Sequence, residues 1–284
     1  MYWNKIKAGG ESPCSSDSEI FRKRLKLSDY PFFIDSIAFF GIILLRYFLV
    51  AGGAYFFFYW LANRSCNDQK LSLHFPSNQV IRSDIELSIL SAVIFAITAA
   101  LILFVYNKGI TCLYAQPSQY GMGYLGVSYF AVLILQDTYF YFTHRLFHHP
   151  ALFPWFHQGH HRSRYPTPWT SFAFDPAEAI AQSLFLVGIV FVIPLHFITL
   201  IAILMTMTVW AVVNHLGLER LPVSFPHHWL GKWFIGPAHH SLHHLKYRVH
   251  YGLYFTFWDK CLGTQDPTYE SQFDQLKIDE SNQA

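Results

Sequence analysis

The chain alternates long apolar runs with polar, turn-rich connections. Phe32 to Ala62 is apolar except for Asp35 and Arg46, well beyond the ~20 residues that cross a bilayer once as a helix. The run predicts either one tilted helix or a helical pair bent near Gly52 and Gly53. A polar connection runs from Asn63 to Asp84, and Ile85 to Tyr106 is a second span whose only charge is Glu86, at its start. Lys108 to Gly121 reads as a linker. Met122 to Phe142 is a third apolar segment, carrying Gln136 and Asp137 near its end. Ala177 to Val213 is apolar with a break at Pro194, the length and punctuation of a helical hairpin. The expected fold is all-α, with multi-pass transmembrane helices (about four spans).

Composition supports this: 52% of residues are hydrophobic and only 13% charged, too little polar surface for an ordinary water-soluble domain. A net charge of +2 without a basic stripe excludes a nucleic-acid partner. Cys14, Cys66, Cys112 and Cys261 form no CxxC pair, so neither a disulfide framework nor a thiolate zinc site is expected. Histidine is the outlier, with 16 copies against 20 Lys plus Arg.

Most of these histidines fall into three groups. His144-Arg-Leu-Phe-His148-His149 continues the third apolar segment, and on a helix His144 and His148 share a face while His149 points about 100° further round. His157-Gln-Gly-His160-His161 and His240-Ser-Leu-His243-His244 both have i, i+3, i+4 spacing, which predicts three imidazoles on one helical face each. So many nitrogen ligands exceed what one ion takes, so two metal ions are expected. Imidazole suits zinc, copper, iron and nickel, so the spacing does not name the metal. His74 and His196 are assigned no role, and His227 and His228 are expected at the membrane interface or beside the ligands rather than as ligands themselves. An ionisable residue at membrane depth is costly, so Asp137 is expected to face the polar interior beside the histidines.

In this order the three groups resemble the fatty acid hydroxylase and sterol desaturase superfamily of membrane non-haem di-iron enzymes. The resemblance extends to Asp137 and Tyr141, to Pro166 to Glu178, to Asn214-His215-Leu-Gly217, and to Tyr251-Gly252, Trp258-Asp259 and Gly263-Thr264. It is closer to the C-5 sterol desaturase branch. It implies a four-helix membrane base with a cytoplasmic helical cap that holds two iron ions. It also implies that His144, His148, His149, His157, His160, His161, His215, His240, His243 and His244 bind metal. Asp137 and Asp175 are the carboxylates expected to serve the chemistry. Asp175 stands where the family commonly has His, and His250 where it commonly has Asn; His250 and His239 are left open as further ligands.

The resemblance thus divides the chain into a polar N-terminal segment (1–31), an N-terminal transmembrane region (32–121), a catalytic domain (122–267) and a C-terminal tail (268–284). It implies an O2-dependent oxidoreductase that hydroxylates or desaturates a lipid. No GxGxxG or CxxCH occurs, so electrons are expected from a separate donor such as cytochrome b5 or a ferredoxin. A zinc hydrolase is the rival enzyme, with Glu178 its only tempting base, and a metal transporter the rival that is not an enzyme. Arg22, Lys23, Arg24 and Lys26 before the first span place the N-terminus in the cytoplasm, and Arg145, Arg162, Arg164, Lys246 and Arg248 place the histidines there too. Both hold only if one of the first three apolar segments is doubled, re-entrant or interfacial.

Overall fold

A computed structural model describes residues 32–61, 76–217 and 227–271. The polar N-terminal segment with its basic cluster, Cys14, Cys66, His74 and residues 272–284 of the tail lie outside the described residues. The architecture is all-α, as the apolar pattern predicts. Helix α1 is Phe32–Tyr59, α2 Asn78–Asn107, α3 Met122–Phe147 and α4 the short Phe153–Phe156. The hairpin is α5, Pro176–Val192, and α6, Phe197–Asn214; α7 is Pro237–Lys246 and α8 Phe257–Cys261. Four of these, α1, α2, α3 and α6, are long and apolar enough to cross a membrane.

The first apolar run is one helix. Gly52 (φ −65°, ψ −43°) and Gly53 (φ −61°, ψ −45°) keep helical dihedrals, and π-helical turns at Phe48–Gly52 and from Phe56 onward widen the helix without reversing it. At ~1.5 Å per residue its 28 residues outreach a ~30 Å hydrocarbon core. The surplus lies beside the cap, where the Tyr59 hydroxyl donates to the Leu216 carbonyl at 2.6 Å.

Punctuation fixes the other ends. Ser77 caps α2, its hydroxyl accepting from the Val80 N–H, and Gly121, at φ +82°, allows the sharp entry into α3. His196 caps α6 by accepting from the Ile198 N–H at 3.1 Å, while its other ring nitrogen donates to the Ala115 carbonyl at 2.9 Å. That lies in the turn region where Leu113–Tyr114 pairs in parallel with Leu195–His196.

Packing tells which end is which. A stripe of small residues on α2 (Ser88, Ser91, Ala92, Ala96, Ala100) is buried and lets α1 approach closely through Ile43, Tyr47 and Ala51. Near the start of α2, Asp84 accepts from Ser163 at 2.6 Å and from Thr170 at 2.7 Å, tying the span to the loop after the second histidine group. A second core joins α2, α3, α5 and α6 around Ile102, Val132, Ile189 and Ile203. Large apolar side chains on the outer faces, among them Phe33, Val127, Phe130 and Ile198, are exposed, as lipid-facing residues are.

These contacts correct one expectation. α1, α2 and α3 are single continuous helices, so none of the described segments before His144 is doubled. Three end-to-end helices place Phe32 and the histidines at opposite ends of the bundle, so the two cytoplasmic assignments hold together only if one of these helices is re-entrant or interfacial. We expect single cysteines introduced at Ser118 and Trp155, in an otherwise cysteine-free chain, to react with an impermeant maleimide from opposite sides of a sealed membrane. Labelling from the same side would overturn this topology.

Candidate metal centre

The centre is assembled at one end of the bundle from the last turn of α3, the turn after α4, the end of α6 and the whole of α7. His144 and His148 lie one turn apart at the end of α3, as their spacing requires. The second group departs from the expected helical face. α4 stops at Phe156, His157 follows it in a non-helical conformation, and His160–Arg162 form a 3₁₀ turn. On α7, His240 and His244 share a face while His243 points away from it.

The histidines therefore divide between two clusters. Donor atoms of His144, His148, His157, His161 and His243 lie within 4.8 Å of one another, and so do those of His160, His215, His240 and His244. All but the half-buried His148 are buried. Each of the second and third sequence groups feeds both clusters, and the end of α6 completes the smaller one with His215.

Inside the clusters the Nε2 atoms crowd together. His144 and His157 are 2.9 Å apart, His161 and His243 3.0 Å, His148 and His243 3.1 Å, His215 and His240 2.9 Å, and His160 and His215 3.3 Å. The outward nitrogens explain the crowding. Nδ1 of His144 donates to the Tyr251 carbonyl (3.0 Å), of His157 to Glu178 Oε2 (2.7 Å), and of His160 to the Ala173 carbonyl (3.2 Å). Nδ1 of His215 donates to the Ala211 carbonyl and of His243 to the Val249 carbonyl, both at 2.7 Å.

Carbonyl oxygens only accept, so His144, His160, His215 and His243 carry their proton on Nδ1 and present bare Nε2 lone pairs inward, and an ionised Glu178 sets His157 the same way. Two bare lone pairs at 2.9 Å cannot share a hydrogen bond. Adding a second proton to each ring is not the remedy, because burial, joined at His215 by the neighbouring His160, holds these groups below the ordinary 6.5: His160 falls to about 4 and His215 to about 3. Burial first, then His144, takes His148 down to about 2. A cation among the lone pairs does resolve the contacts. At a metal–nitrogen distance of ~2.1 Å, ligands around one ion sit about 3.0–3.4 Å from each other, close to the spacing observed. The donor set fits two metal ions.

The other predicted residues are placed as follows. His149 is exposed and enters neither cluster; its Nδ1 accepts from the Ala151 N–H, since it sits past the end of α3 and off the shared face. His239 and His250 also lie outside. His239 accepts from the Gly236 N–H and stacks on Tyr269 with ring centres 3.8 Å apart, and His250 accepts from the Asp266 N–H.

Neither Asp137 nor Asp175 touches a cluster donor atom, so the structure makes them positioning groups. Asp137 Oδ1 accepts from the N–H groups of Leu253, Tyr254 and Phe255 at 3.2, 2.7 and 3.1 Å. That fixes the strand of chain whose Tyr251 carbonyl holds His144. Asp259 does the same from the other side, accepting from the Tyr251 and Gly252 N–H groups, both at 2.9 Å. A Cβ at Gly252 would meet the Phe255 carbonyl at 2.5 Å. Asp175 accepts from the Gly159 N–H at 2.6 Å and so pins the turn bearing His160 and His161.

What sequence reasoning missed is the role of Glu178, singled out there only as a hydrolase base: it orients His157. Its signal was there in the first turn of α5 after Asp175-Pro176. The supporting carbonyls carry no side-chain signal at all.

The profile of the fatty acid hydroxylase family matches residues 129–264, a stretch that holds every histidine of both clusters. A Delta(7)-sterol 5(6)-desaturase of Aspergillus fumigatus is 31% identical over 262 residues, covering 83% of this chain and 80% of that protein. Lathosterol oxidase of Rattus norvegicus is 32% identical over 220 residues, 75% of this chain and 71% of the relative. For a Delta(7)-sterol 5(6)-desaturase of Gibberella zeae the figures are 29% over 213 residues, 72% of this chain and 64% of the relative. No solved structure matches. With the profile lying on both clusters and similarity running over most of the chain, this protein belongs to the fatty acid hydroxylase family.

Proposed function

We propose that the chain is a membrane-bound oxidoreductase that holds two iron ions and uses O2 to desaturate or hydroxylate a sterol-type lipid. The observation that carries this reading is the partition of nine inward-facing imidazoles into groups of five and four. His144, His148, His157, His161 and His243 would hold one ion; His160, His215, His240 and His244 would hold the other. The sterol-type substrate rests on the desaturase and oxidase relatives.

Two such ions, once bound, supply the O2 activation and C–H oxidation that no side chain performs. The chain's own residues do the rest. Glu178 and the carbonyls of Tyr251, Ala173, Ala211 and Val249 hold the imidazoles in one tautomer and fix their directions. Asp137, Asp175 and Asp259 hold the backbone that presents those carbonyls and turns. Burial excludes water, and the adjoining apolar core receives a lipid from the bilayer side. Electrons come from a separate one-electron donor of the cytochrome b5 or ferredoxin kind. Basic residues at the cluster end, Arg145, Arg162, Arg164 and Arg248, support a cytoplasm-facing site. A zinc hydrolase is disfavoured because Glu178, the carboxylate bonded to a cluster imidazole, is already engaged with His157.

Elemental analysis of the purified protein should find about two iron ions per chain. His160→Ala combined with His161→Ala removes one ligand from each cluster and should abolish both the iron and an oxygen-dependent lipid product that has gained one oxygen atom or lost two hydrogens. Zinc alone, with no such product when a donor is supplied, would overturn the reading.

Glu178→Ala should weaken iron binding by roughly 10–100-fold, whereas His149→Ala should leave iron content unchanged. Competition with a graded chelator reads both, and an equal loss in the two variants would refute the assignment.

The lowered histidines also set a pH dependence. Unfolded, these rings take up a proton as pH falls through 6.5; folded, His160 resists to about 4 and His215 to about 3. Stability present above 6.5 is therefore lost on acidification through that window. The melting temperature of the metal-stripped protein should fall between pH 6.5 and 4, and a flat profile there would contradict the buried neutral state.

A further inference from the structure

The cap carries an outer face that the metal centre does not use. Asp259 turns one side of α8 to the centre, where it accepts from the Tyr251 and Gly252 N–H groups. The other side, with the turn at 229–233 beside it, is apolar and open: Trp229 is 72% exposed, Leu230 46%, Trp233 44%, Phe257 48% and Leu262, just after α8, 42%. Backbone bonds tie the turn to α8, since the Thr256 N–H donates to the Trp233 carbonyl at 3.0 Å and the Thr256 hydroxyl to the Lys232 carbonyl at 2.7 Å. His228 accepts from the Leu230 and Gly231 N–H groups, both at 3.3 Å, and so sets the turn that holds Trp229 outward.

An apolar face of this extent calls for a partner, and its position names one. Trp258 of α8 packs on Phe142 with ring centres 5.1 Å apart, and its indole N–H donates to Thr138 at 3.1 Å, so α8 lies alongside the last turns of α3. Phe142 and Leu146 there are exposed on the outside of the span. The outer face of the cap is thus continuous with the lipid-facing side of α3, at the level where that helix ends and where tryptophan is favoured.

The cations on this face narrow the chemistry. Lys232 and Lys260 are exposed, and their ammonium groups lie 5.7 and 4.6 Å from the ring centre of the same residue, Trp233. Lys260 also donates to the Lys232 carbonyl at 2.6 Å. Partial burial and the like charge of Lys232 lower the Lys260 pKa, against the opposing pull of Glu270. Neither lysine forms an ion pair among the described residues. Two ammonium groups held around one indole at the edge of a bilayer match an anionic headgroup. An acidic protein would satisfy the lysines and leave the rings in water.

We propose that the turn at 229–233 and the outer side of α8 rest on the membrane surface and bind an anionic phospholipid. Its phosphate lies between Lys232 and Lys260, and its acyl chains lie beside Trp229, Leu230 and Phe257. The contact ties the cap to the bilayer outside the spans and involves neither the metal ions nor the substrate.

The test uses the full-length protein in nanodiscs of phosphatidylcholine that carry one of two photoactivatable probes, phosphatidylserine or phosphatidylcholine, with a diazirine near the top of an acyl chain. Labelled peptides are read by mass spectrometry, with the α3 peptide that bears the lipid-facing Phe130 as the control. In wild type both probes should label the peptides spanning 229–233 and 257–262, and phosphatidylserine should do so more strongly, by about fivefold for each lysine engaged. Lys232→Gln with Lys260→Gln should bring phosphatidylserine labelling down to the phosphatidylcholine level. The phosphatidylcholine level itself should not change, which shows that the variant is folded and still seated. Trp229→Ala, at a site too exposed to disturb the core, should lower labelling by both probes, and it decides the matter if the lysine variant does not accumulate. Inorganic phosphate should displace neither probe. A labelled control with no labelling of the cap peptides would overturn the proposal and leave the face to a protein partner. Equal labelling by the two probes in wild type, an unchanged preference in the lysine variant, or displacement by inorganic phosphate would each overturn it as well.

Discussion

Everything near the histidines depends on one electrostatic constraint: neutral imidazoles are held with their lone pairs converging. Left to themselves, His144 and His157 would not place two bare Nε2 atoms 2.9 Å apart. The fold enforces it by giving five of the nine rings an outward acceptor, which selects their tautomer and removes the alternative of a hydrogen bond between two such rings. Burial then removes the other escape, double protonation. What remains is a site whose lowest-energy state contains cations.

The membrane base serves that constraint. A carbonyl can orient an imidazole only if its own backbone is fixed, and three carboxylates at three points, two buried and Asp175 half-buried, do the fixing. Asp137 projects from a span, Asp259 from the cap, and Asp175 from the junction with the hairpin; each accepts from backbone N–H groups beside a histidine or its carbonyl. Asp84 adds the anchor to α2 through Ser163 and Thr170. The close contact of α1 with α2 over small residues brings Tyr47 within reach of the cap, where its hydroxyl donates to the Trp169 carbonyl at 2.8 Å. Mutual rigidity of spans and cap gives the clusters their geometry.

The fold was largely legible in the sequence because its main signals are local. Apolar length gave the spans, Pro194 gave the hairpin break, and i, i+3, i+4 spacing gave the histidine groups. What was not legible depends on partners distant in sequence. The division into five and four follows from how the 3₁₀ turn at His160 meets α7, and no single-group spacing encodes it. His149 was a ligand by the family resemblance alone, and the helix rotation of about 100° that already set it off the shared face leaves it exposed. Asp137 and Asp175 were visible as charges in apolar or structured surroundings, yet whether a carboxylate faces a metal or a backbone N–H is decided by chain that arrives from more than fifteen residues away. Gly52 and Gly53 permitted a bend, and α1 does not use it.

The unequal clusters also bear on how a lipid meets the centre. Rings from the end of α3 and from the turn after α4 crowd the larger cluster, and Phe153 and Tyr247 close over it, with Tyr247 stacked on His161 at 4.6 Å. The smaller cluster has one fewer ring and includes His215, at the end of α6, where the apolar hairpin core begins. A substrate dissolved in the bilayer approaches from that core. The two clusters therefore differ in their surroundings: the larger lies against the aromatic rings of Phe153 and Tyr247, and the smaller against the end of α6, where the apolar core of the hairpin begins.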